Sequence, residues 1–128
     1  MAHSILRSYD DVFQFLASGT GAVEIGIPWR GSFANNDGVV DVAAGGTYGG
    51  HDVAIVGYVA DKKDDRGRKF LILANSHGRQ WGNNGFALIA PRLFDEWGRD
   101  NYSEMIGMSD LEEYRPRRVD WIQDSPWV

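Results

Sequence analysis

An α+β fold, a helix followed by a set of short antiparallel strands, is what this sequence predicts, on three observations. Residues 4–17 carry apolar side chains at helical spacing. From Val23 onward the apolar residues alternate or run in blocks of strand length, and 16 glycines among 128 residues place turns between those blocks. The order is helix, strands, helix, strand and tail, not a repeated strand–helix–strand unit.

Each element has its own signal. Ile5, Leu6, Tyr9, Val12, Phe13 and Leu16 share one helical face, Ser4 is placed to cap the start, and Gly19 and Gly21 stop the helix. Val23, Ile25 and Ile27 alternate as in a half-buried strand that Pro28 is expected to end. Residues 28–50 read as loop, with Asn35-Asn36-Asp37-Gly38 a turn signal before the β-prone run Val39 to Val42. Val53 to Val59 form a nearly continuous apolar strand, Asp61 to Lys69 a charged hairpin loop, and Phe70 to Leu73 the returning strand. Phe86 to Ile89 make another strand, Pro91 opens a helix through about Trp97, and a last strand lies near Tyr102 to Met108. From Leu111 the composition shifts to arginine and tryptophan, which sets a domain of residues 1–110 apart from a tail of residues 111–128.

Composition excludes several functions. The net charge is −5, and the basic cluster Arg115, Arg117 and Arg118 sits beside Glu112 and Asp120, so no nucleic acid is expected as a partner. Arg7, Asp10 and Asp11 interrupt the first 18 residues, which therefore do not read as a signal peptide. No uncharged apolar run approaches the ~18 residues that a membrane span needs. There is no cysteine, which removes disulfides, thiolate metal sites and a thiol nucleophile from these residues. Lys62, Lys63 and Arg66 lie among Asp61, Asp64 and Asp65, and His3, His51 and His77 are the only histidines. Neither set makes a convincing metal site, so no metal or cofactor is expected.

Two segments carry the chemistry. In the first, paired glycines Gly49-Gly50 precede His51 at the mouth of an apolar strand, which fixes the imidazole while leaving the backbone approachable. The second, Asn75-Ser76-His77-Gly78-Arg79-Gln80-Trp81-Gly82-Asn83-Asn84-Gly85-Phe86, is a glycine-rich turn between strands. Together they resemble the papain family of cysteine proteases. That family has a strand of the form H-x-V-x-x-V-G-Y, matched by His51 to Tyr58. It also has N-S-W-G-x-x-W-G-x-x-G-Y/F, matched at Asn75, Ser76, Gly78, Trp81, Gly82, Gly85 and Phe86. Gly21 to Gly26 resembles the family's G-P-V-x-V strand and Ser4 to Ser18 the helix before it.

The resemblance implies the antiparallel, barrel-like half of that fold, the half that bears histidine and asparagine. It implies that His51 is the general base and acid, that Asn75 accepts a ring N–H to orient it, and that Trp81 is an aromatic on the leaving-group side of a cleft. Two departures follow. The cysteine-bearing helical half has no counterpart in this sequence, and no serine is placed to substitute for its thiol. The tryptophan that shields the histidine–asparagine hydrogen bond in the family is His77 here.

The expected function is accordingly a non-catalytic structural or protein-binding module in a larger oligomeric or heteromeric assembly. Trp81, His77, Trp121 and Trp127 are its candidate contact residues. The segment Gly26-Ile27-Pro28-Trp29 resembles papain-like proteins of bacterial and bacteriophage genomes, which makes a virion one expected setting. The alternative is the histidine–asparagine half of a split hydrolase whose cysteine comes from another chain.

Overall fold

The computed structural model describes residues 2–34, 36–41, 43–75, 78–100 and 104–109. Strand β1 (Ala2–Leu6) leads into helix α1 (Tyr9–Ala17), β2 (Ala22–Arg30) and a single-turn helix α2 (Gly31–Ala34). Then follow β3 (Val39–Val40), β4 (Thr47–Lys63), β5 (Lys69–Ala74), β6 (Phe86–Ile89), α3 (Pro91–Asp100) and β7 (Glu104–Ser109). The seven strands among the described residues form one sheet in the order β1-β7-β2-β4-β5-β6-β3. All pairings are antiparallel except β3 with β6, which is parallel. The sheet is open, with β1 and the two-residue β3 at its edges.

Strand alternation builds the core. Along β2, Val23, Ile25, Ile27 and Trp29 are buried while the residues between them are partly exposed. The buried face packs against Val12 and Leu16 of α1 and Leu93, Phe94 and Trp97 of α3. On β5, Leu71 and Leu73 join that core, while Phe70 and Ile72 point the other way into a smaller cluster with Val59, Leu88 and Ala90. Burial on both faces explains why this strand reads as an uninterrupted apolar run.

Four sequence expectations change. The helix begins at Tyr9, not at Ser4, because residues 2–6 find ladder partners in β7, with Ile5 opposite Ile106. Ser8 is the cap: its hydroxyl accepts the Asp11 N–H at 3.2 Å, and the Asp11 carboxylate accepts the Arg7 N–H at 2.9 Å. Pro28 does not end its strand. It pairs opposite Gly50, two residues beyond Gly26, where the described β7 ladder ends. The charged hairpin is tighter than expected, since β4 runs on to Lys63 and β5 starts at Lys69.

That hairpin is pinned by Arg68. Its guanidinium donates to both oxygens of Asp95 on α3, at 3.0 and 2.9 Å, and to Asp64 at 2.8 Å. The Arg66 and Arg68 backbone N–H groups also donate to Asp64 Oδ1. The Tyr9 hydroxyl donates to the Lys69 carbonyl, tying α1 to the same corner. No helix among the described residues is long and apolar enough to cross a membrane. The tail, with Trp121 and Trp127, lies outside the described residues, as does His77.

Candidate active site

Two ladders bring the site together. In the β2–β4 pair His51 stands opposite Ile27, and residues directly opposite share a face, so the imidazole projects on the core side of the sheet. In the β4–β5 pair Ala54 stands opposite Ala74, so Asn75, one residue on, falls beside Val53 on the same face as His51. The two side chains meet: His51 Nε2 lies 2.7 Å from Asn75 Oδ1. An amide oxygen only accepts, so Nε2 carries the hydrogen and Nδ1 of the neutral ring carries the lone pair.

Asn75 is held from behind. Its N–H donates to the Gly85 carbonyl at 3.0 Å, and Gly85 N–H donates to Trp81 at 2.9 Å. The Asn83–Phe86 pair closes the turn into β6 with bonds of 2.7 and 3.0 Å. Gly82 sits at φ +58°, and a Cβ there would lie 2.4 Å from the Phe86 carbonyl oxygen. The glycine is therefore a steric requirement of the turn that presents Asn75.

An aromatic layer backs the imidazole. The Trp29 ring centroid is 4.7 Å from that of His51 with the planes at 73°, and it is 5.4 Å from Phe33 and 5.8 Å from Trp81. The Trp81 indole N–H donates to the Phe33 carbonyl at 2.8 Å. Trp81, expected from the sequence as a contact residue on the leaving-group side of a cleft, is only 6% exposed. The reason is α2, whose Phe33 supplies both a ring and a hydrogen-bond acceptor. Helix α2 is fixed in turn by the chain that follows it. Gly46 and Ala44 carbonyls accept the Gly31 and Ser32 N–H groups, and Arg30 Nε donates to Gly45.

An open groove of about 860 Å³ runs past His51 between β2, β4 and β7. On the sheet face opposite the core, Gly26 lies between Asp52 of β4 and Glu104 of β7, its direct partners in the two ladders. With no side chain at position 26 the groove stays open, since a Cβ there would meet the Asp52 carboxylate at 3.0 Å. Among the described residues, no three His, Cys, Asp or Glu side chains are grouped to hold a metal ion.

The structure thus brings together His51 and Asn75, and places Trp81 beside them as a buried support. Sequence reasoning missed Trp29 and Phe33 as parts of this site. The signal for Trp29 was present: it continues the Val23, Ile25, Ile27 alternation one step past Pro28, which puts it on the face of Ile27 and hence of His51.

Comparison with known proteins bears on the family and the fold. A family model described as "Papain family cysteine protease" matches residues 8–108. Mouse cathepsin 7 is 38% identical over 52 residues, covering 41% of this chain and 14% of that protein. Among solved structures, the bromelain protease of Ananas comosus in complex with the E64 inhibitor superposes with a TM-score of 0.60 at 18% identity. That match covers 81% of this chain and 47% of bromelain. Procathepsin B S9 of Trypanosoma congolense gives a TM-score of 0.57 at 22% identity, over 85% of this chain and 36% of that one. The chain therefore spans less than half the length of the relatives it matches.

Proposed function

The chain belongs to the papain family of cysteine proteases, and from that premise we propose that it supplies the histidine–asparagine side of a cysteine hydrolase site. The thiol is carried by a polypeptide segment outside these 128 residues, because the chain itself has no cysteine. The observation that carries the reading is the 2.7 Å hydrogen bond between His51 Nε2 and Asn75 Oδ1. It presets the tautomer that a general base needs, with Nδ1 able to take a thiol proton.

The chemistry balances without any other group of this chain. Nδ1 takes the thiol proton, and the thiolate sulfur bonds to the substrate carbonyl carbon. The imidazolium then returns its proton to the leaving amine as the carbon–nitrogen bond breaks. Water delivered with the same imidazole as base releases the acyl group and restores the thiol. Asn75 keeps the ring oriented through both proton transfers.

A second reading, a non-catalytic protein-binding module within a larger assembly, is favoured by the lack of any cysteine in the chain. One experiment separates the two. The chain is mixed with the separately expressed cysteine-bearing half of a papain-family protease, complex formation is followed by gel filtration, and turnover of a fluorogenic peptide is measured. Turnover that His51→Ala removes supports the hydrolase reading. A complex that forms without His51-dependent turnover overturns it in favour of the binding module.

A further inference from the structure

We infer that Trp29 is the positioning residue of the His51 imidazole: its indole sets the ring plane that delivers Nε2–H to Asn75 and keeps water from that flank. The inference rests on the reading of His51 as a proton carrier and adds a residue to it. A hydrogen bond to Asn75 fixes a single ring atom. The second side-chain torsion of histidine is soft, with no sharp staggered well, so the ring plane needs another contact to define it. Trp29 supplies one, with centroids 4.7 Å apart and planes at 73°, the edge-to-face arrangement that aromatic pairs prefer.

The indole can act as a fixed reference because it is itself locked. It is 7% exposed and in contact with Phe33, which is 1% exposed, and with Trp81. The Trp81 N–H bond to the Phe33 carbonyl closes the set. Trp29 also sits two residues after Ile27, the ladder partner of His51, and continues its buried alternation to the point where the β2–β4 register shifts between Pro28 and Arg30. Position 77, where the family resemblance leads one to expect an indole over this hydrogen bond, is a histidine. An indole in contact with His51 comes instead from β2.

The test uses nitrogen-15 NMR on the full chain, with no thiol partner present. In the wild type, the neutral imidazole of His51 should carry its proton on Nε2 and not on Nδ1, with nuclear Overhauser contacts from the Trp29 indole to its ring protons. Trp29→Phe, which keeps a ring, should retain that tautomer. Trp29→Leu should give mixed tautomers and at least tenfold faster exchange of Nε2–H. A folded Trp29→Leu protein with wild-type tautomer and exchange overturns the inference. Should that variant fail to fold, the wild type decides: missing indole-to-imidazole contacts overturn the inference, and their presence with a retained tautomer in Trp29→Phe upholds it. No step here needs catalysis, so failure of the complementation assay and failure of this assignment are read separately.

Discussion

His51 Nε2 and Asn75 Oδ1 are 2.7 Å apart although the two residues are 24 positions apart in sequence. The contact results from two strand registers acting in series, Ile27 opposite His51 and Ala54 opposite Ala74. A one-residue slip in the β4–β5 ladder would send one of the two side chains to the other face of the sheet, and a slip in the β2–β4 ladder would part His51 from the buried face of β2. The hydrogen bond is thus a readout of the whole β2–β4–β5 arrangement, and its loss can be provoked from several places.

Asn75→Ala removes the acceptor directly. The half-buried pair is one ordinary hydrogen bond, so the stability loss should be about 0.5–1.5 kcal/mol in urea unfolding. The larger effect is on the imidazole, whose nitrogen-15 shifts should move from a single Nε2–H tautomer to an exchanging mixture. Asn75→Ala with an unchanged His51 spectrum would show that the amide does not set the tautomer.

Gly82→Ala attacks the support of Asn75 without touching it. A left-handed backbone costs an alanine roughly 1–2 kcal/mol, and here the new Cβ would also meet the Phe86 carbonyl oxygen at 2.4 Å. Gly78→Ala in the same loop is the control, with φ +91° but nothing within 4 Å of its Cβ. Thermal melts should show a clearly larger loss for Gly82→Ala, and only that variant should disturb the His51 resonances. Equal losses would mean that backbone conformation alone, and not the clash, governs the turn.

Much of this was legible in the sequence, for physical reasons that differ from element to element. Strand β4 and the Asn75-to-Phe86 loop announce themselves because a rigid histidine and a glycine-dependent turn leave few residue choices. Strand β6 is short but strongly apolar, and its predicted bounds, Phe86 to Ile89, agree with the fold. Ser4 misled because residues 2–6 pair with β7, about a hundred residues away, and a local helical spacing carries no trace of such a partner. Helix α2 was invisible because it is one turn, held by carbonyls of the later Ala44–Gly46 segment and not by its own propensity. Trp81 was read as a contact residue at a cleft because one of the residues that bury it, Phe33, belongs to that unforeseen turn, and the other, Trp29, lies past Pro28, where the strand was expected to end.

Tyr9→Phe tests the link between α1 and the β4–β5 corner. The phenol donates to the Lys69 carbonyl, and burial pushes its pKa up to about 12 against the opposing charge of Arg68. A raised folded-state pKa favours the neutral phenol, so this stability is fully present below the unfolded value of 10.0 and is lost as pH rises through about 12. Deleting the hydroxyl should cost about 1 kcal/mol at pH 7. The gap between wild type and variant in urea midpoint should then shrink as the pH is raised above 10. A gap independent of pH would exclude the buried phenol as its source.

Asp64 should govern the acid limb. Burial alone would raise its carboxyl pKa, but the Arg68 backbone N–H, the Arg68 guanidinium and the Arg66 N–H outweigh that and hold it below the ordinary 3.8. A depressed carboxylate contributes stability that is present above the unfolded pKa and lost as pH falls through the folded one. The relevant window is therefore below pH 3.8. Asp64→Asn keeps the shape and removes the charge, so it should be less stable than wild type by about 1.5–3 kcal/mol at pH 7, the range of hydrogen bonds to charged groups. As the pH falls through it the two proteins should converge. Arg68→Met should cost more, because it strands Asp64, whose side chain is 13% exposed, without its cation, whereas Asp95 at 40% exposure can be hydrated. Unfolding curves of wild type and both variants at pH 7 and pH 3 check the ranking. An Asp64→Asn penalty that persists undiminished in acid would assign the loss to packing of the hairpin, not to the carboxylate.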